Sequence, residues 1–158
     1  MNILITGGNG GLGIALAERF LQNAGHQVWL GVRANRNRAE VLAASHGDRV
    51  RLIDLDVTQE NDWQRAVELM VQSEQSPDVL INNAGMSPLY KNVSDVTEEL
   101  FDKVVGVNLK GPYRLMALVG ERMVEDGGGS IINVSSTASE QPTPHACPVS
   151  TSAAADEA

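Results

Sequence analysis

Ile3-Leu4-Ile5-Thr6-Gly7-Gly8-Asn9-Gly10-Gly11-Leu12-Gly13 is the stretch that decides the fold. A short apolar run breaks into five glycines within residues 6–13, and a helix-like stretch, Ile14 to Ala24, follows. A strand that turns through a glycine loop into a helix is a common way to hold a nucleotide pyrophosphate. Glycine lets the backbone turn sharply and removes the Cβ that would keep a phosphate at a distance. The helix N-terminus adds unpaired N–H groups and a partial positive charge. Two glycine spacings fit: Gly7, Gly11 and Gly13 as T-G-x-x-x-G-x-G, or Gly7, Gly10 and Gly13 as T-G-x-x-G-x-x-G.

The pattern of this first unit recurs along the chain. Strands are expected at Ile3–Thr6, Val28–Val32, Val50–Asp54, Val79–Asn82 and Ser130–Val134. Between them lie helices at Ile14–Ala24 (stopped by Gly25), around Arg38–Ser45, and through Trp63, Ala66, Val67, Met70 and Val71. The third of these has Thr58 as its expected cap. A long helix opens at Thr97 and runs to about Val124. The strands are continuously apolar rather than alternating, which suits a parallel sheet buried on both faces. Right-handed βαβ units then give a doubly wound α/β sheet in the order 3-2-1-4-5. Residues 1–136 form the expected domain. Residues 137–158 carry Pro142, Pro144 and Pro148 among small residues and read as a loosely ordered tail.

Composition narrows the partners. The 158 residues hold 42% hydrophobic and 20% charged residues, ordinary for one globular domain. A net charge of −8 argues against nucleic acid and anionic membranes as partners. The single cysteine, Cys147, excludes an internal disulfide and fits a reducing compartment. No run approaches the length of a membrane span, and no metal-ligand cluster stands out. The expected address is cytoplasmic.

Four further motifs occur in a fixed order: Asp54-Leu55-Asp56-Val57, Asn82-Asn83-Ala84-Gly85, Val107-Asn108-Leu109-Lys110-Gly111 and Ile131-Ile132-Asn133-Val134-Ser135-Ser136. With the glycine loop, they make the chain similar to the short-chain dehydrogenase/reductase family, from residue 1 to about 140. This favours the first glycine spacing and implies a Rossmann-type fold without the C-terminal part of the family fold. By resemblance, Gly7, Gly11, Leu12 and Gly13 wrap the pyrophosphate, and Asp56 and Val57 meet the adenine. Asn83, Ala84 and Gly85 line the cofactor channel. At the end of the second strand, where an acidic residue would favour NAD, stands Val32, followed by Arg33 with Arg36 and Arg38 nearby. Guanidinium groups welcome a 2′-phosphate, so the expected cofactor is NADP rather than NAD.

The resemblance also implies catalytic roles for Asn108 and Ser136, the first through a water in a proton relay and the second by orienting a substrate oxygen. Pro112 cannot donate to the Asn108 carbonyl, so a kink that opens this carbonyl is expected. The family's Y-S-x-S-K-A-A corresponds to Val149-Ser150-Thr151-Ser152-Ala153-Ala154-Ala155. Valine and alanine replace the catalytic tyrosine and lysine, and neither can act as a general acid. His145, Tyr90, Tyr113 and Cys147 read as ordinary loop or packing residues rather than substitutes.

Three functions remain open at this point. The first is a nucleotide-binding, catalytically impaired member of the family. The second is an active oxidoreductase, acting on a small carbonyl or alcohol, whose C-terminal sequence is incomplete or altered here. The third is an interaction module that binds no nucleotide. Self-association is expected through the helix around residues 97–124, whose face of Leu115, Leu118 and Val119 would lack cover.

Overall fold

The computed structural model describes residues 1–136. Their centre is a parallel sheet of β1 (Asn2–Ile5), β2 (Gln27–Val32), β3 (Val50–Asp54), β4 (Val79–Asn82) and β5 (Ser130–Asn133). The strand order is β3-β2-β1-β4-β5, as the βα rhythm requires. β1 lies between β2 and β4, with Leu4 opposite Trp29 on one side and Leu80 on the other.

Alternate residues of each strand enter different cores, which is why the strands read as continuously apolar. On one face Leu4, Trp29, Ile53 and Leu80 pack under Trp63, Leu115 and Val119. On the other, Ile3, Ile5, Val28, Leu30 and Ile81 pack under Ala17, Leu21 and Leu42. The helices on this second face are α1 (Gly11–Leu21) and α2 (Asn37–His46). The first face carries α3 (Glu60–Gln72), α4 (Glu98–Val105) and α5 (Gly111–Glu125). Ile3, Leu4 and Ile5 are all fully buried, so β1 is the floor on which everything else is assembled.

Several boundaries depart from the sequence reading. α1 begins at Gly11, because Gly10 N–H closes a turn onto Gly7 O (3.0 Å) and Ile14 N–H already bonds Gly10 O (3.0 Å). It ends at Leu21 rather than near Gly25, because Asn23 folds the chain into a turn and accepts Gly25 N–H on its Oδ1. Thr58 does not cap α3; the N-cap is Gln59, and the Thr58 hydroxyl donates to Asp56 Oδ1 (2.7 Å). Thr97 does cap α4, its Oγ1 accepting Leu100 N–H.

The expected long helix from Thr97 is continuous in direction of winding but holds a π turn, Gly106–Lys110, between α4 and α5. Gly111 N–H reaches back to Gly106 O, and the extra residue absorbs the N–H that Pro112 lacks. The apolar face of α5 is also covered: Leu115 and Val119 are fully buried against the sheet, and Leu118 packs at the edge of that core. Those residues therefore do not supply an open surface for a partner. The large exposed apolar side chains of residues 97–124 are Phe101, Leu109, Tyr113 and Val124. Among the described residues no helix is long and apolar enough to cross a membrane. The expected tail, with Val149 and Ala153, lies outside the described residues.

Candidate nucleotide-binding site

A cleft of about 660 Å³ opens over the C-terminal ends of β1, β2, β3 and β4. This is the switch point of the sheet, where successive connections leave β1 toward opposite sides. The glycine loop forms its floor. Gly7 has φ of +64°, in the left-handed region, and a Cβ there would press on Ala84 Cα at 3.0 Å. A Cβ on Gly13 would lie 2.6 Å from Gly7 O and 3.1 Å from Gly8 Cα. Glycine at 13 thus lets the first turn of α1 settle directly on the loop.

No side chain caps the N-terminus of α1. The N–H groups of its first turn, Gly11 to Gly13, therefore remain available at the end of the helix dipole. Such a turn, set against a loop with no Cβ in the way, suits an anionic diphosphate.

The loop is held from behind by a buried knot. Thr6 is 1% exposed, and its Oγ1 accepts the N–H groups of Asn83 and Ala84, both at 2.9 Å. Asn83 Nδ2 donates in return to Thr6 O (2.9 Å) and Gly7 O (3.3 Å). The end of β4 and the glycine loop are thereby one rigid unit. Asn83 lines the cleft, yet its amide is occupied in shaping the loop.

Gly7, Gly11, Leu12, Arg33, Asp56, Val57, Asn83, Ala84 and Gly85, all expected at the site from sequence, share this cleft. Gly13 does not line it and acts by close packing. Asp56 Oδ1 is used by the N–H and hydroxyl of Thr58, at 2.9 and 2.7 Å. Its Oδ2 faces Arg33 Nη1 at 3.8 Å. Val57 is buried and its carbonyl accepts the Trp63 indole N–H at 2.8 Å.

Asn108 sits in the π turn and holds both backbone groups of one residue, Met86. Its Oδ1 accepts Met86 N–H at 2.9 Å, and its Nδ2 donates to Met86 O at 2.8 Å. The segment after β4 is thus tied to the helix layer, and Met86 becomes a wall of the cleft. Ser136 stands three residues beyond β5, exposed, and is not among the cleft-lining residues.

Sequence reasoning missed four contributors. Thr6 was quoted only as part of the motif. Lys103 and Val107 enter the wall from α4 and the π turn. Asn9 Oδ1 accepts the N–H groups of Arg38 (2.9 Å) and Ala39 (3.1 Å), capping α2 from a loop nearly thirty residues earlier. Asparagine is a capping residue type, but nothing local shows which helix it will cap.

Comparison with known proteins agrees with this architecture. The short chain dehydrogenase family model matches residues 1–157. Human dehydrogenase/reductase SDR family member 4 is 32% identical over 151 residues, covering 94% of this chain and 54% of that protein. The 3-ketoacyl-(acyl-carrier-protein) reductase of Brucella melitensis, solved with NADH, superposes with a TM-score of 0.87 at 30% identity, over 98% of this chain and 65% of that one. Serine dehydrogenase in its closed form, solved with NADP+, gives 0.83 at 29% identity, over 92% and 58%. The chain spans about half the length of the curated relatives it matches.

Proposed function

This chain belongs to the short-chain dehydrogenase family, and on that premise we propose that its cleft holds a nicotinamide dinucleotide, with NADP preferred to NAD. The observation that carries the reading is the uncapped first turn of α1 at the floor of a cleft of about 660 Å³. The N–H groups of Gly11 to Gly13 bind the diphosphate. Asp56 Oδ2 accepts from the adenine amino group once Arg33 turns toward the ribose. Asn83, Ala84 and Gly85 guide the cofactor along the end of β4. When bound, the cofactor would supply a hydride for a small carbonyl or accept one from an alcohol.

By resemblance to the family's Y-S-x-S-K-A-A, Val149 and Ala153 take the positions of the proton-donating tyrosine and its lysine in this reading. Neither side chain titrates, so proton delivery from these positions fails. The function proposed is therefore dinucleotide binding with impaired oxidoreductase turnover. Asn108 keeps the Met86 wall in place, and the proposed role of Ser136, by resemblance to the family, is to orient a substrate oxygen.

Calorimetry with NADP+ and NAD+ tests the binding half. Tighter binding of NADP+ is expected, and a folded protein that takes up neither would leave an interaction module as the reading. Carbonyl-dependent NADPH oxidation, compared with a heat-inactivated control, tests the other half, where clear turnover would falsify the impairment. We further propose a cytoplasmic address and self-association through the helical layer of residues 97–124, supported by exposed Leu109 and Tyr113 one turn apart. Light scattering that gives a clean monomer at high concentration opposes the second.

A further inference from the structure

We infer that Asp62 is a positioning residue for base recognition: it holds Asp56 so that the free carboxylate oxygen of Asp56 meets the 6-amino group of adenine. The inference rests on the dinucleotide reading above and assigns a role to a residue outside the cleft. Asp62 is the third residue of α3 and is half-buried. Its Oδ2 accepts the backbone N–H of Asp56 at 2.9 Å. Its Oδ1 accepts from Arg65 Nη2 at 3.0 Å, and the same nitrogen donates to Asp54 O at 2.9 Å. Trp63, next to Asp62, donates its indole N–H to Val57 O at 2.8 Å. The start of α3 thus holds three backbone groups of the loop after β3, on Asp54, Asp56 and Val57. None of Asp62, Trp63 and Arg65 lines the cleft.

The helix dipole alone favours an acidic residue in a first turn. It accounts for the charge of Asp62 but not for its aim. The carboxylate reaches back six residues to the N–H of the one acidic residue that lines the cleft. With that N–H fixed, Asp56 has little freedom. Its carbonyl accepts Gln59 N–H at 2.9 Å, and its Oδ1 is taken by the N–H and hydroxyl of Thr58, at 2.9 and 2.7 Å. Oδ2 is left facing Arg33, another cleft residue, at 3.8 Å. An ionised carboxylate oxygen only accepts, so it takes an amino group on the base and repels a carbonyl in the same place. Loss of its aim therefore costs discrimination between bases, and not affinity alone.

The test uses the full chain and equilibrium titration, with no need for turnover. NADP+ is compared with its hypoxanthine analogue, in which a carbonyl oxygen replaces the 6-amino group. The wild-type chain should prefer the adenine form by about tenfold. Asp56→Asn should bring the ratio close to one, because an amide can turn either an oxygen or an N–H toward the base. Asp62→Ala should lower the ratio to about two- to threefold. Asp62→Asn keeps an oxygen for the Asp56 N–H and should restore most of the preference. Arg65→Ala should move the ratio the same way by less, and it carries the test if Asp62→Ala does not fold. Adding Asp62→Ala to Asp56→Asn should change the ratio no further, which marks action through Asp56. Equal losses on both forms in Asp62→Ala or Arg65→Ala overturn the inference, make Asp62 a helix charge only and leave the dinucleotide reading intact. A wild-type chain that binds both forms equally also overturns the inference alone, and one that binds neither overturns both readings.

Discussion

Replacing Thr6 by valine keeps the shape of a side chain that is 1% exposed and deletes one hydroxyl. That oxygen accepts Asn83 N–H and Ala84 N–H, each at 2.9 Å, and lies 3.4 Å from Ile81 O, to which it donates. Valine leaves both N–H groups without their protein partner. Each orphaned donor costs about 1–2 kcal/mol where its residue is half-buried, as Asn83 and Ala84 are. The extra buried methyl returns about 0.8 kcal/mol. The net loss is then about 1–3 kcal/mol. With a urea slope of about 2 kcal/mol per molar, the unfolding midpoint falls by about 0.5–1.5 M. Thr6→Ser keeps the hydroxyl and loses a methyl, so it should fall short of the upper part of that loss. Urea unfolding followed by Trp29 and Trp63 fluorescence measures all three proteins. A Thr6→Val midpoint equal to wild type would refute the claim that this hydroxyl ties β4 to the glycine loop. The same variant should bind dinucleotide more weakly than Thr6→Ser, because the loop and Ala84 share the knot.

Other substitutions probe neighbouring parts of the cleft. Gly13→Ala places a methyl 2.6 Å from Gly7 O, so α1 must lift off the loop; a loss of about 1–3 kcal/mol in denaturation and a weakened dinucleotide titration are expected. Asn108→Ala removes both bonds to Met86 and should cost about 1–3 kcal/mol. Asn108→Asp should cost at least as much at neutral pH, since a carboxylate oxygen would then face Met86 O; urea midpoints compare the two. Trp63→Phe leaves the buried Val57 carbonyl without its indole donor and should destabilise by about 1–3 kcal/mol in thermal or chemical unfolding.

Much of the fold was legible because it depends on residue types at short range. Apolar runs such as Ile3-Leu4-Ile5 and Leu80-Ile81 can be buried only in a sheet covered on both sides, and the helices between them enforce parallel pairing. Thr97 ahead of Glu98 and Glu99 caps its helix for reasons contained in four residues. Less legible were features decided by competition between local and distant bonds. Thr58 looked like a cap, but Asp56 claims its hydroxyl. Leu115 and Val119 looked open to a partner, but β4 and β5 place the sheet beneath them. Pro112 signalled a break in the ordinary helix, and a π turn, Gly106–Lys110, lies directly ahead of it.

The sequence by itself determined the order of the parallel sheet, the glycine loop and the family of residues around it. Only the tertiary structure decided what each polar side chain does. Asn83 shapes the loop, Asn108 grips Met86, Asn9 caps α2, and Arg36 is held by Asp54 while Arg38 is left beside Gly11. The physical reason is reach. Burial pattern and turn chemistry are settled within a few residues, whereas each of these hydrogen bonds joins groups that become neighbours only after the sheet has been assembled.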